Sequence, residues 1–557
     1  MLDGRFFNRE ELPDAGNDAG RLAALYLQYG IEAALARING DFSFALYDAA
    51  SGRLVAGRDR FGLKPLYWAR TESGFALASR PRALLAQPGV SNAPDRAFVA
   101  RFAACHYRVF DNAVERSPYA DIAQVPASAG IRIDSAGTAN SLTWWRLSDL
   151  PDLSEPEEEL AERYRHLLLD SVRRRLEGAR EPAFTLSGGL DSSSVLSCAV
   201  ANTGHAQIAY SSVYADPTFD ESGGIEPMLA DKVADWRTVP LGNDIDLSGT
   251  VARMVEVNDE PVATATWLAH FALAERVARD GRGALFGGLG GDELNAGEYE
   301  YFFFRFADLQ AQGLAAELEY EIACWARHHD HPVWRKNRET ALAGIARLSA
   351  PGRAGGVRTD MVRLKRYWSA LSRDWHDLTG YEPVLDHPFS SALKNRTYQD
   401  IFRETAPCCL RAEDRHATHF GLERLDPFFD HRLVEFMFRV PGRHKIRDGI
   451  TKRLLRASMK GILPEQTRLR VKKTGWNAPA HIWFSGRGLD PVRDMVGSRA
   501  FRERGVYDVA EVERLIAEHA ALVADPQPRE NHMMFLWQLV NLEIWMAGLP
   551  RAAKATA

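Results

Sequence analysis

Two glycine clusters constrain the fold of this chain more than any other feature. The first, Ser187-Gly188-Gly189, follows the apolar run Ala183–Leu186 and precedes the helix-forming stretch Ser192–Val200. The second, Gly287-Gly288-Leu289-Gly290-Gly291, closes the apolar run ending at Phe286 and leads into Asp292-Glu293. Strand, glycine turn and helix in succession predict a parallel α/β sheet. The glycines then sit at the carboxyl ends of strands, where such folds hold their ligands.

The first cluster has the chemistry of an anion cradle. Adjacent glycines carry no Cβ, so backbone amides can approach phosphate closely. Ser192 is expected to cap the following helix, whose N-terminal amides favour negative charge. The hydroxyls of Ser187, Ser192 and Ser193 add donors. A carboxylate beside phosphates makes sense as a Mg²⁺ ligand, which assigns that role to Asp191. No GxxxxGK[ST] stretch occurs, so the γ-phosphate is not gripped as in a P-loop. A site of this kind suits pyrophosphate as leaving group, with the α-phosphorus attacked. In the second cluster, Asp292 and Glu293 are natural Mg²⁺ ligands or polar anchors. Taken alone, the first segment also reads as a plain glycine-rich βα turn and the second as a tight turn capped by acids.

At 557 residues the chain is long enough for two or three domains. Hydrophobic residues are 46% and charged residues 26%, the profile of a soluble globular enzyme. A formal charge of −5 argues against a general nucleic-acid or membrane-surface role. No run of roughly 18 apolar residues offers a membrane span, and no secretory signal is read at the N-terminus. Five cysteines (105, 198, 324, 408 and 409) lack disulfide or zinc spacing, so the expected compartment is the reducing cytoplasm. Residues 1 to about 145 are strand-rich, with a hairpin predicted from Asp41–Asp48 and Ser51–Ala56. Ser148–Glu157 is acidic, carries two prolines and reads as a linker, and Leu160–Leu176 is an amphipathic helix. Beyond about residue 300 the pattern is mostly helical.

The two clusters, as SGGLDSS and GGLGGDE, look like the synthetase domain of the asparagine synthetase family, which includes β-lactam synthetases and lasso-peptide cyclases. Further collinear segments agree. Glu423–Val434 (ERLDPFFDHRLV) is similar to the family's E-x-R-x-P-F-L-D, and Thr451–Arg456 (TKRLLR) with Leu463-Pro464 to its K-x-x-L-R and L-P stretch. Arg470–Pro479 (RVKKTGWNAP) resembles its lysine-bearing loop. Upstream, Ile38–Asp48 and Arg58–Trp68 (RDRFGLKPLYW) look like its glutaminase domain.

The resemblance implies an α/β protein. Residues 1–146 form a truncated Ntn-type αββα glutamine amidotransferase-like sandwich lacking the nucleophile cysteine, and 147–159 form a linker. Residues 160–557 form an adenine-nucleotide-hydrolase-like ATP pyrophosphatase domain with added helices. It further implies ATP and Mg²⁺ as cofactors and adenylation of a small-molecule or peptide carboxylate. The nitrogen comes from ammonia, glutamine-derived ammonia or a substrate amine, and a homodimer is one assembly it admits. Leu186, Ser187, Gly188, Gly189, Asp191, Ser192, Ser193, Gly287 and Gly288 would bind ATP and pyrophosphate, and Asp191 and Asp292 the metal. Lys473, with Lys472 as its neighbour and alternative, supplies the cation that offsets charge growing on phosphate and acyl oxygens.

The chain also departs from the family. Leu2 stands where the nucleophilic cysteine is expected, and the first strands of the glutaminase sandwich are expected to be missing. Of the glutamine site, Asp3, Gly4 and Asp18 remain. Asp3 replaces the oxyanion-hole asparagine, a repulsive change; Arg5 replaces a substrate-binding glutamate; Asp18 matches the acid that meets the glutamine amino group. Glutamine hydrolysis is therefore not expected of this polypeptide. Leu289 replaces the glutamate of asparagine synthetases and the tyrosine of β-lactam formers, leaving Glu423 as candidate base or structural acid. Leu425 replaces an arginine, with Arg424 alongside. Intramolecular amide formation, or a non-catalytic role, are the alternatives. His328–His331 reads as a surface turn because four contiguous ligands cannot face one ion. Glu298–Phe304 reads as a substrate mouth or an aromatic core helix. Asp220-Glu221 and Asp259-Glu260 are expected to end strands near the nucleotide.

Overall fold

In a computed structural model, residues 1–216, 219–220, 222–242, 245–328, 335–350, 352–471, 478–525 and 529–549 are described. The N-terminal half contains eight strands: β1 (Leu2–Phe6), β2 (Gly40–Asp48), β3 (Arg53–Arg58), β4 (Tyr67–Thr71), β5 (Gly74–Ala78), β6 (Ile122–Gln124), β7 (Ala129–Ile133) and β8 (Ala139–Thr143). The predicted hairpin is present, with Asp48 opposite Arg53. Two antiparallel sheets result, ordered β1-β2-β3-β7-β8 and β5-β4-β6. Side chains alternate between faces along a strand, so each sheet has two apolar uses. Ala56, Ile131 and Ile133 of the larger sheet pack with Trp68, Phe75 and Leu77 of the smaller. The opposite face of the larger sheet, through Phe6, Phe42 and Phe44, buries Leu22, Leu25 and Leu35 from the helices Asp18–Tyr29 and Ile31–Arg37. This is the layered sandwich expected from the sequence.

No strand or helix occurs between β8 and the helix Glu157–Leu176. The C-terminal sheet consists of β9 (Pro182–Thr185), β10 (Gln207–Tyr214), β11 (Val233–Leu241), β12 (Ala284–Phe286) and β13 (Glu423–Leu425), all parallel, in the order β11-β10-β9-β12-β13. Alternation again sorts the residues. Phe184, Phe286 and Leu425 join Leu168 and Val172 of the Glu157–Leu176 helix on one face. Ala183 and Leu285 meet Leu273 and Val277 of the helix Thr266–Arg279 on the other. Sheet growth proceeds from β9 toward β11 and then resumes on the other side of β9 with β12. The loops after β9 and β12 therefore meet at a topological switch point, where ligands bind in open α/β sheets.

The halves share one core. Phe98, Phe102 and Phe110 pack with Val251, Trp267, Phe535 and Trp537. Buried charges also cross the boundary: Arg411 pairs with Asp111 and Glu260 at 2.9 and 2.6 Å, and Arg80 with Asp259 at 3.0 Å. The expectation for Asp259 and Glu260 is thereby corrected. They follow the helix Leu247–Asn258, not a strand, and hold the N-terminal half instead of a nucleotide. Glu298–Phe304 resolves as core. Tyr301, Phe302, Phe303 and Phe304 are buried, and Phe302 and Phe303 pack on Trp325. His329–His331 lie outside the described residues, as does Glu221.

Candidate active site

The chain turns sharply after β9 because Gly188 adopts φ 74°, a left-handed conformation that glycine reaches without steric cost. The helix then begins at Leu190, earlier than expected, and its N-cap is Gly189, with no side-chain cap. First-turn amides are thus left without a side-chain acceptor, the arrangement that receives anions. Ser192 is not the cap. Its hydroxyl folds back beneath the loop, accepting the Ser187 N–H at 3.2 Å and lying 3.2 Å from the Ser187 hydroxyl. Ser193 is fully buried and does not reach the cavity wall.

The second glycine cluster is shaped by close approach. A Cβ on Gly291 would lie 2.4 Å from Asp191 Cγ, and one on Gly287 would lie 1.9 Å from Arg424 Nη2. These glycines let side chains from other segments lie flat against the loop. A cavity of about 330 Å³ opens between the two loops, within the roughly 300–1,000 Å³ of small-molecule sites. Leu186, Ser187, Gly189, Asp191, Ser192, Gly288, Leu289, Asp292 and Glu293 all line it. Gly188 and Gly287 stand just behind this wall. A larger cleft, about 900 Å³, is lined by Trp68, Gln124, Trp145 and Tyr398 and lies apart from both glycine loops.

Asp191 and Asp292, 101 positions apart in the sequence, converge on one cation. Lys452 Nζ lies 2.7 Å from Asp292 Oδ1 and also bonds Asp191 Oδ2. Lys452 is the lysine of the TKRLLR segment and adopts φ 56° at the start of the helix Arg453–Ser458. Its motif was legible, but its role was not, because the two carboxylates come from distant loops. Two carboxylates sharing a point charge form an all-oxygen donor set that suits a hard divalent ion such as Mg²⁺, completed by phosphate oxygens. Behind them, burial holds the Arg456 guanidinium down to about 10, Asp191 acting against it and Arg470 and Arg468 with it.

Toward β13 the wall changes character. In register with Leu285, Arg424 faces the Thr266–Arg279 helix, while Leu425 enters the core. Arg424 bonds Asp426 through two nitrogens and pairs with Glu413 at 3.0 Å. Glu413 also bonds His270 Nδ1. Although burial pushes the Glu413 carboxyl upward, Arg424 and His270 hold it down to about 2. The Glu293 carboxyl behaves oppositely: burial, reinforced by Asp292, pushes it up to about 8. His270 and Glu413 carried no signal in sequence, since nothing local distinguishes one histidine on an amphipathic helix, whereas Arg424 was visible only as the arginine beside Leu425.

The remaining predicted residues lie elsewhere. Glu423 is absent from the cavity wall; alternation on β13 turns it from the Arg424 side, and it pairs with Arg5 Nε at 3.1 Å. Arg5 also donates to the carbonyls of Arg175 and Glu177 at 2.8 and 3.1 Å, joining β1 to the C-terminal half. Asp3 pairs in register with Ser43, and Gly4 has φ 115° and presses on Asp41. Asp18 accepts the Phe6 N–H at 2.9 Å and binds Arg9. Lys472 and Lys473 lie outside the described residues.

Comparison with known proteins agrees with this geometry. The family model described as Asparagine synthase matches residues 163–547, and that described as Glutamine amidotransferase domain matches 8–145. The chain is 24% identical to Asparagine synthetase [glutamine-hydrolyzing] 1 of Bacillus subtilis, over 98% of this chain and 85% of that one. It is 23% identical to a Putative asparagine synthetase [glutamine-hydrolyzing] of Mycobacterium tuberculosis, over 98% and 84%. It is 27% identical to Amidase chyE of Penicillium rubens, over 88% and 77%. With both halves matched in order and the glycine loops meeting at the sheet's switch point, this chain belongs to the asparagine synthase family of ligases.

Proposed function

We propose that this protein uses ATP to adenylate a carboxylate and then forms an amide from the acyl adenylate. The observation that carries the reading is the convergence on one cavity of the Ser187–Ser192 loop, an uncapped helix start, Asp191 and Asp292, with Lys452 bridging the two carboxylates. The loop and helix amides suit the β- and γ-phosphates, which leave as pyrophosphate. Lys452 and Arg456 offset the charge that grows on it. Mg²⁺ held by Asp191 and Asp292 would neutralise phosphate oxygens. Lys473, or its neighbour Lys472, remains the proposed cation on the acyl side. The resulting anhydride turns an unreactive carboxylate into an acyl donor with AMP as leaving group.

Ammonia or an amine of the substrate is the proposed nucleophile, not glutamine. Arg5, where the family binds glutamine through a glutamate, is engaged by Glu423 and two main-chain carbonyls. Such an arginine has no charge to offer as an acceptor for the glutamine amino group. The test is exchange of labelled pyrophosphate into ATP in the presence of aspartate, aliphatic and aromatic monocarboxylates and N-acyl amino acids. Exchange dependent on one of these carboxylates is expected; its absence with all of them would overturn the reading.

A further inference from the structure

Amide formation requires a base as well as an adenylate. An attacking amine forms the new C–N bond with its lone pair, the C–O bond to AMP breaks with its electrons on phosphate, and the nitrogen must lose a proton. The base suggested by the sequence does not stand ready. Leu289, on the cavity wall, cannot take a proton, and Glu423 faces Arg5. We infer that His270, held by Glu413, is the general base that takes the proton from the nitrogen nucleophile. This rests on the adenylation reading above.

The geometry is that of a histidine oriented by a buried carboxylate. His270 lines the cavity beside Thr266 and Leu273, one helical turn either way, and its side chain is 37% exposed. The Glu413 side chain is only 6% exposed. A carboxylate can only accept here, so the Nδ1 position carries the hydrogen and the neutral ring presents Nε2 as acceptor. Trp267 packs edge-on at 4.7 Å and limits rotation of the imidazole. The imidazolium formed on proton transfer stays beside the Glu413 carboxylate, which Arg424 holds ionised. Glu293, also on this wall, is 6% exposed, and burial, reinforced by Asp292, pushes its carboxyl up to about 8.

The groups that face the imidazole are Glu413 and His416 of the helix Thr405–His419 and Arg424 of β13. His416 is fully buried, bonded to Asn258 and held down to about 3, so it stays neutral through the range in which an imidazole titrates.

The experiment compares the wild type with His270→Gln and Glu413→Gln. It uses whichever carboxylate supports pyrophosphate exchange, with ammonium or hydroxylamine as nucleophile. Hydroxylamine is a stronger nucleophile that is already unprotonated at neutral pH, so its attack leans less on a base than that of ammonium. In His270→Gln, amide formation from ammonium is expected to fall about 10²- to 10⁴-fold. That loss should exceed by at least tenfold the loss in exchange and in hydroxamate formation. Glu413→Gln, if it folds, should lose less. Equal losses in exchange, amide and hydroxamate would overturn the inference by making His270 structural. A selective loss in Glu293→Gln instead of His270→Gln would overturn it by placing the base on the neighbouring loop. Absence of exchange in the wild type would fall on the adenylation reading itself.

Discussion

Replacing Lys452 with methionine keeps the stem and removes the ammonium that joins the two glycine loops. The ammonium lies 2.7 Å from Asp292 and also bonds Asp191. At an effective dielectric of about 20, one such pair has a raw attraction of about 6 kcal/mol. Most of that is offset by taking the lysine out of water, since its side chain is only 9% exposed. Asp292 is 28% exposed, which screens its share further. The net cost to folding is therefore roughly 1–3 kcal/mol, less than the loss of a fully buried partner. The catalytic cost is larger. A positioned donor on charge that develops in the transition state is worth about 3–4 kcal/mol, or roughly 10²- to 10³-fold. Carboxylate-dependent pyrophosphate exchange should fall by that factor in its maximal rate more than in its ATP concentration dependence. The vacated pair of carboxylates should also take Mg²⁺ directly, so Mg²⁺ alone should raise the thermal midpoint of Lys452→Met more than that of the wild type. Exchange within about threefold of wild type, together with no added response to Mg²⁺, would refute the assignment of Lys452 to the leaving pyrophosphate.

Other perturbations separate the parts of the site. Gly291→Ala should push Asp191 aside, its Cβ falling 2.4 Å from Asp191 Cγ, and exchange should drop at least about 10²-fold. Gly287→Ala should displace Arg424 instead, which pairs with Glu413 beside His270, so its damage should appear in amide formation more than in exchange. The raised Glu293 pKa means that only the unfolded state releases this proton between about 4.5 and 8. The group's contribution is complete below 4.5 and declines by up to ~1.4 kcal/mol per pH unit until the folded carboxyl titrates. Denaturant titrations of Glu293→Gln should show it gaining on the wild type as pH rises from 4.5 to 8; a constant difference would contradict the assignment. Arg5→Ala removes an ion pair and two bonds to main-chain carbonyls, which should cost ~2–3 kcal/mol and leave glutamine no better as a nitrogen source in a glutamate-release assay.

The readable features of this chain were those written in contiguous residues. The β2–β3 hairpin follows from alternation around a turn, and both glycine clusters follow apolar runs that became β9 and β12. Position within a motif was less legible. One residue of register on β13 decides that Arg424, not Glu423, faces the cavity, and a strand of three residues offers too short a pattern to fix it. Helix onset was misplaced because Gly188 turns the chain before the first serine that could cap it. The cation of the site was hidden for another reason. Lys452, Asp191 and Asp292 come from three segments, and His270, Glu413 and Arg424 from three more. Only the sheet order, which places the loops after β9 and β12 side by side, brings those segments to one cavity.

The account turns on which phosphate the site grips, and a structure of the protein with Mg²⁺ and α,β-methylene ATP measures that directly. The β- and γ-phosphates should lie on the amides of Gly188–Ser192 beside Lys452, with the α-phosphorus turned toward Leu289 and His270. A triphosphate bound away from that loop, or one presenting its γ-phosphorus to the Leu289 side, would contradict the account.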